Sequence, residues 1–314
     1  MKPAPFIALF LLSAAGWSAE SAPASSQVRS GISFLEENDK FGTAGTDRYY
    51  TQGLKLIFSS GEHTYFSLTQ EINTPADTDN PNPDPADQPY SGALYVACGY
   101  GKVFDRQGRR DCMGSVELKL GVIGPSSGAE TIQNKFHALI GTDQAKGWGT
   151  QLPDEVAINL DAEFRRRFTF GRAEQAHSDL IARAVGQLGN LRTEFILGTQ
   201  YRLGYHLDRS WGQMFIRHSN GYEPDPDDGA GGFSCWVFAD AQVEVVVRNY
   251  SLDGGNFRES RGVDRLPIVG QAALGATLRH GAWGFTVFSA WRTAEFVTQA
   301  EGHAFGGFKG DLHF

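Results

Sequence analysis

Alternation of apolar and polar residues over long runs is the feature that most constrains what this chain can fold into. Residues 157–168 carry apolar side chains at about every second position, and residues 233–248 do so less cleanly. A period of two indicates a β-strand with one apolar and one polar face. Runs of ten residues or more are typical of tilted strands that cross a membrane, which need about 9–11 residues. The sequence therefore predicts an all-β chain with membrane-spanning strands.

Twelve segments of the chain are predicted to be such strands. An even number suits a closed antiparallel barrel with both termini on the periplasmic side of the outer membrane. Closure leaves no backbone edge exposed to lipid, so we expect an outer-membrane β-barrel of about 12 strands. The predicted strands are residues 31–37, 51–58, 64–72, 92–101, 115–123, 157–168, 178–189, 192–204, 233–248, 266–279, 282–296 and 304–314.

The order of long and short connections tests this strand count. If the first strand runs outward, the connections after odd-numbered strands are extracellular, and these include the long segments 73–91 and 124–156. Long outer loops and short periplasmic turns are the rule in such barrels. Two connections depart from it: residues 205–232 are long for a periplasmic turn, and residues 190–191 are short for an outer loop. A misplaced strand boundary is one explanation.

A helix is predicted inside the outer loop at residues 124–156. Within residues 128–140, Ile132 and Phe136 recur at helical spacing. Pro125 precedes the segment and can start the helix, and Gly141 follows it and can end it.

The first residues have the pattern of an export signal. Residues 1–24 contain a lysine, then an apolar run at 6–15 that is too short to span a membrane, then small residues. Cleavage after Ala24 fits the A-x-A pattern, with cleavage after Ala19 as the alternative. We therefore expect a signal peptide at 1–24 and one barrel domain at 25–314.

Composition limits the classes of function. The 314 residues hold 28 Lys and Arg against 36 Asp and Glu, a net charge of −8. This acidic balance argues against nucleic acid as a partner. The 38 glycines and 12% aromatic residues are typical of a turn-rich β protein. The acidic segment 223–228 is expected to be a solvated loop, with calcium binding as a lesser alternative.

Three cysteines are too few for a disulfide scaffold. Cys98 and Cys112 flank a predicted hairpin, where they either form a disulfide in the oxidising periplasm or stay as two thiols. Cys235 is expected to pack against the barrel wall.

Residues that could carry chemistry fall at the outer rim of the predicted barrel. Asn38 and Asp39 end the first strand, and their oxygens are ligands that a hard cation such as Ca²⁺ takes, although a solvated acidic loop would look the same. Thr51 begins the second strand. His137, with Gln133 one helical turn before it, is a candidate base. A cation that polarises a carbonyl and a histidine that deprotonates water could together hydrolyse an ester.

Several motifs in one order resemble a known family. They are ENDKF, TDRYYTQGLKL, QPYSGALYV, GVIGPSSGAETIQNKFHALIG with GWGTQL, and LDGGNFRES. Together they span about residues 34–260 and resemble the outer-membrane lipid A deacylase family of the LpxR type. The resemblance implies a twelve-stranded barrel in the outer membrane of a Gram-negative bacterium. It also implies a hydrolase that removes the 3′-linked acyloxyacyl chain of lipid A, and thereby modifies lipopolysaccharide, with Ca²⁺ as cofactor.

The resemblance also implies roles for particular residues, in a mechanism similar to that of secreted phospholipases. Carried over by position, the site residues are Asn38, Asp39, Thr51, Gln133 and His137, and the metal ligands are Asn38, Asp39 and Asp143. Two departures from the family pattern stand out. Asp143 replaces a glutamate, and residues 74–89 contain no lysine or arginine where the family carries a lysine. If the family lysine contacts a phosphate of lipid A, this protein either uses another cation or accepts a different lipid.

Two other functions are compatible with the sequence. One is a non-catalytic barrel of the same family, and the other is a small pore. A pore would conduct ions and would not need His137. The oligomeric state is left open.

Overall fold

The computed structural model describes residues 30–42, 48–106, 109–170, 177–224 and 232–314. The predicted signal peptide, residues 1–24, lies outside these ranges. None of the helices described is both long enough and apolar enough to cross a membrane. The strands are β1 Gly31–Asn38, β2 Tyr49–Ser60, β3 Thr64–Thr74, β4 Ser91–Arg106, β5 Arg109–Ile123, β6 Glu155–Phe170, β7 Ser178–Gly189, β8 Arg192–Tyr205, β9 Phe233–Asn249, β10 Ile268–His280, β11 Trp283–Arg292 and β12 His303–His313, and the helices are α1 Ala129–Ile140 and α2 Tyr250–Asp253.

The twelve strands close into one antiparallel barrel, as predicted. Each strand pairs with its sequence neighbours, and β1 also pairs with β12, where Gly31 lies opposite His313. The predicted strands are all present, and the largest difference is at the β4–β5 hairpin, which extends to Arg106 and Arg109. The predicted helix is also present, and it ends at Gly141, whose φ of 70° favours glycine.

Burial within each strand is inverted relative to a soluble protein. In β6, Val156 is 59% exposed and faces outward, whereas Arg165 is 2% exposed and faces the lumen. An apolar outer face and a polar interior are what a barrel in lipid requires.

Charged residues in the lumen neutralise one another. Lys119 Nζ lies 2.6 Å from Asp161 Oδ2, and Lys55 Nζ lies 3.6 Å from Glu117 Oε1, with all four side chains buried. Charges removed from water need such partners. The lumen is therefore a packed polar core.

The long β8–β9 connection accounts for much of that packing. Residues 210–222, which we call the plug, fold back into the lumen and are almost entirely buried. Main-chain N–H groups of the plug donate to lumen carboxylates: Ile216 to Glu37 at 3.0 Å and Asn220 to Glu163 at 2.9 Å. The connection is thus long because it fills the barrel. The strand boundaries predicted on either side of it are correct, so no misplaced boundary is needed to explain its length.

The acidic segment at 223–228 differs from its prediction where it is described. Glu223 is buried and pairs with Arg279, 2.9 Å away, and with Lys309. Burial alone would raise the pKa of Glu223, but these two cations lower it below its usual range. The expectation of a solvated loop is therefore wrong for Glu223, and residues 225–228 lie outside the described residues.

The disulfide alternative for Cys98 and Cys112 is wrong. Cys98 faces outward opposite Leu118, whereas Cys112 is buried opposite Phe104. Six residues of strand separate Leu118 from Cys112, about 20 Å, which is far beyond disulfide reach. Cys235 lies half-buried in the barrel wall, on β9.

Candidate functional site

The helix α1 lies against the outer wall of the barrel. Gln70 follows exposed Leu68 on the outward face of β3, and its Nε2 donates to Ser127 O at 2.8 Å. A Cβ at Gly92, on the outward face of β4, would lie 2.3 Å from Ala129 Cβ. Glycine therefore allows the start of α1 to approach the wall.

Polar residues replace apolar ones on the outward face beside this helix. Phe34 is 39% exposed, but Glu36 and Asn38, next on the same face of β1, are buried. Gln52 of β2 donates from Nε2 to Glu36 Oε1 at 2.9 Å. The outer wall thus carries a covered polar patch directly above its apolar band.

A β-bulge places Thr51 beside this patch. The β2–β3 register shifts between Tyr50 and Gln52, and Tyr49 just before has a φ of 63°. The Thr51 hydroxyl lies 2.7 Å from that of Thr74. Bulges commonly redirect a side chain at functional sites.

Asn38 and Asp39 shape the turn that follows β1. Asn38 Oδ1 accepts from Lys40 N at 2.9 Å, which caps a short 3₁₀ turn at Asp39–Phe41. Asp39 Oδ2 accepts from Arg48 N at 2.6 Å, and the side chains of Asn38 and Asp39 are both buried.

His137 projects from α1 toward this turn. Its Nδ1 lies 2.7 Å from the main-chain oxygen of Asp143, and a carbonyl oxygen can only accept. The proton of the neutral ring is therefore on Nδ1, and Nε2 carries the lone pair. Nε2 lies 3.4 Å from Lys40 Nζ. His137 is only 2% exposed.

Gln133 and Asp143 support the histidine in different ways. Gln133 Oε1 accepts from Trp148 Nε1 at 2.8 Å, one helical turn before His137. Trp148 in turn packs against Tyr90, with ring centroids 4.8 Å apart. Asp143 holds the ring through its main chain, while its side chain is exposed.

The predicted site residues thus fall into one neighbourhood with an additional cation. The turn after β1 supplies Asn38, Asp39 and Lys40, and α1 brings His137 to that turn. Sequence reasoning missed Lys40, although it stands inside the ENDKF motif. The oxygens of Asn38 and Asp39 have the chemistry that Ca²⁺ prefers.

A second group of possible ligands lies in the lumen. Glu194, His218 and Glu244 are all buried, and one ligand atom from each lies within 4.8 Å of the others. Sequence reasoning assigned no role to His218, because no local pattern indicates that the β8–β9 connection enters the barrel.

Comparison with protein families gives a match over nearly the whole chain. Residues 6–314 match the family model described as outer membrane protein LpxR. No curated protein matches significantly.

Several solved structures are similar to this chain. The structure of LpxR from Salmonella typhimurium matches with a TM-score of 0.75 and 21% identity, over 90% of this chain and 99% of that one. The β domain of the Bordetella autotransporter BrkA matches with a TM-score of 0.43 and 10% identity, over 91% of this chain and 100% of that one. A KdgM porin matches with a TM-score of 0.35 and 7% identity, over 90% of this chain and 98% of that one. At 21% identity, the first match establishes the fold.

Proposed function

This chain belongs to the LpxR outer membrane protein family, and from that membership we propose that it is a calcium-dependent lipid A deacylase. The substrate is lipid A, or the lipopolysaccharide that contains it, in the outer leaflet. The reaction hydrolyses the ester that joins the 3′-linked acyloxyacyl chain to the sugar.

The orientation of His137 carries this proposal. Nδ1 is anchored on the Asp143 carbonyl, so the lone pair on Nε2 points to the turn that holds Asn38 and Asp39. A base fixed in this tautomer can accept a proton from water. The site is on the outer wall above the apolar band, which is the surface that lipid contacts.

The residues divide the hydrolysis between them. Nε2 of His137 removes a proton from water as the water oxygen attacks the ester carbonyl carbon. The resulting imidazolium then donates that proton to the departing sugar oxygen, which yields a carboxylic acid and an alcohol. Gln133 and Trp148 keep α1 and its histidine in place. Asn38 and Asp39 would hold Ca²⁺, with Asp143 as a further ligand, and the ion would polarise the ester carbonyl.

Lys40 supplies a cation that the 74–89 loop lacks. Its Nζ lies next to His137 Nε2, so an anionic head-group bound there would draw the ammonium away and leave space for water. The phosphates of lipid A are such anions. We therefore assign Lys40 to substrate recognition.

The test is mass spectrometry of lipid A from cells that express the protein. We expect loss of one acyloxyacyl unit with wild type, and no loss with His137→Ala or with a chelator present. His280→Ala, at the exposed end of β10 on the terminal side of the barrel, is the matched control and should leave the activity unchanged. Cleavage that survives His137→Ala would refute the mechanism, and unchanged lipid A from a folded barrel would favour a non-catalytic role.

The plug weighs against the pore alternative. Trp211, Phe215 and Tyr222 lie inside the barrel and are 6% exposed or less. A lumen packed with these rings and with ion pairs offers little space for solute.

A further inference from the structure

The segment that follows α1, residues 141–148, lies against the loop between β3 and β4. We call this loop, residues 75–89, the brace. Lys146 N donates to Thr78 O at 2.9 Å. A Cβ at Gly147 would lie 3.0 Å from two atoms of the brace, so a larger side chain there would have to displace it. The position of this segment therefore depends on the position of the brace.

The same segment contacts α1 and the proposed base on its other side. Asp143 O lies 2.7 Å from His137 Nδ1. Ala145 N donates to Asn134 Oδ1 of α1 at 3.2 Å. A shift of the brace would therefore move the carbonyl that sets the tautomer of His137.

Arg261 holds the brace in place. Its guanidinium donates to three main-chain oxygens of the brace, from Nη1 to Pro83 at 3.4 Å and from Nη2 to Asp84 at 2.6 Å and to Asp87 at 3.0 Å. Hydrogen bonds from a charged donor are stronger than neutral ones, and the planar fork of arginine reaches several acceptors at once. Asp87 Oδ2 accepts from Ala76 N at 2.7 Å, which ties the end of the brace to its beginning.

Arg261 itself belongs to a loop that is fixed to the barrel. The main-chain N–H groups of Asn256, Phe257 and Arg258 donate to the carboxylate of Glu155, at 2.8, 2.9 and 3.0 Å. Glu155 is the first residue of β6, at its outer end. The three donors belong to the LDGGNFRES motif, which thereby gives Arg261 a defined position beside the brace.

We infer that Arg261 is a positioning residue for His137, which acts through the brace and residues 141–148. The inference rests on the proposed function, because it assigns a further role in the same site. Both terminal nitrogens of the guanidinium are used on carbonyl oxygens of the brace. The brace contains no lysine or arginine, and its role is to hold the site rather than to bind an anion.

Two further hydrogen bonds keep the brace attached when Arg261 is changed. Thr298 Oγ1 donates to Ala86 O, and Gln88 Nε2 donates to Tyr49 O at 3.4 Å. Loss of the guanidinium should therefore shift the brace without detaching it, and the barrel should stay folded.

Nitrogen NMR of histidine-labelled protein in detergent reads the tautomer, because the two ring nitrogens differ. The signals of His137 are those missing from His137→Ala. Wild type should carry the proton on Nδ1, and Arg261→Gln should add the other tautomer, because the Asp143 carbonyl moves. Arg258→Gln, at an exposed arginine three residues before, is the matched control and should match wild type. An unchanged tautomer in folded Arg261→Gln would overturn the inference, whatever the activity.

Kinetics on lipid A give a second readout. Arg261→Gln should lower kcat by about 10- to 100-fold and leave KM unchanged, because displacement of a catalytic group by about 1 Å can cost that much. The loss should be the same on lipid A with and without phosphate. A loss confined to phosphorylated lipid A would assign Arg261 to anion binding and overturn the inference. If wild type leaves lipid A intact while the tautomer still changes in Arg261→Gln, the proposed function fails and the role of the brace stands.

Gly147→Ala tests the same contact from the other side, with Arg261 in place. Its Cβ would lie 2.4 Å from Tyr90 and 3.0 Å from the brace, so it should reproduce the change of tautomer and the loss of kcat. Gly149→Ala is the matched control, since nothing lies within 4 Å of a Cβ there. Wild-type behaviour of folded Gly147→Ala would show that the brace does not orient His137, and would overturn the inference even if Arg261→Gln failed to fold.

Discussion

At the scale of single residues, the tautomer of His137 depends on one main-chain oxygen. The Asp143 carbonyl orients the ring, so the chemical identity of the Asp143 side chain matters less to the histidine than the shape of the loop. The aspartate found here, where the resemblance implies a glutamate, is thus compatible with His137 as the proposed base. The shorter side chain would affect only the proposed role of Asp143 as a metal ligand.

Lys40 gives a prediction at the same scale. Lys40→Met should lower kcat/KM by about 10- to 100-fold on phosphorylated lipid A, because a hydrogen bond to a charged group contributes about 1.5–3 kcal/mol. The loss should be smaller on lipid A without phosphate. Kinetics on both substrates measure the difference. Lys135→Met, at an exposed lysine of α1, is the control and should match wild type. An equal loss on both substrates would contradict a role in anion recognition.

At the scale of elements, α1 packs against the outer wall of the barrel at β3 and β4. Gly92→Leu should displace the helix from the wall, because even a Cβ would lie 2.3 Å from Ala129 Cβ. We expect deacylation to fall by at least about tenfold while the barrel stays folded, which heat-dependent gel mobility monitors. Gly186→Leu is the matched control, since nothing lies within 4 Å of a Cβ there. Full activity of Gly92→Leu would show that deacylation does not depend on the position of α1 against the wall.

The contact between Arg217 of the plug and Glu295 gives a second prediction at the scale of elements, on how the stability of the fold depends on pH. Burial alone would raise the pKa of Glu295, but Arg292 and Arg217 lower it to about 2. A lowered pKa stabilises the fold above the usual value of 4.5, and this stabilisation is lost as pH falls toward 2. The difference corresponds to about 3 kcal/mol.

Melting temperatures between about pH 6 and about pH 3 measure this effect in detergent. Glu295→Gln should melt lower than wild type at neutral pH, because two arginines lose a partner. It should also show a shallower loss of stability in acid. The same acid slope in both proteins would assign the effect to other carboxylates.

At the scale of the whole molecule, the order of connections predicts the orientation in the membrane. We expect α1 outside the cell and the β10–β11 turn in the periplasm. Leu139→Cys, at a position 82% exposed on α1, should react with a membrane-impermeant maleimide on intact cells. His280→Cys should react only after lysis, and the unsubstituted chain is the blank. Reaction of His280→Cys on intact cells would invert the orientation.

Sequence patterns determined the barrel because alternation is a local property. Which face of each strand is apolar can be read from neighbouring residues, and so can the helix between Pro125 and Gly141. Asn38, Asp39, Thr51, Gln133 and His137 could be singled out because strand parity places them at one end, and motifs support them.

What fills the barrel, and what faces His137, depends on contacts between residues that lie far apart in sequence. The plug has no local signal, because it enters the lumen to meet carboxylates from strands far away in sequence, such as Glu37 and Glu163. The same holds for the Lys40–His137 contact across 97 positions and for the convergence of Glu194, His218 and Glu244. Periodicity reports which way a side chain points, whereas its partner depends on closure of the barrel, which brings distant strands within reach.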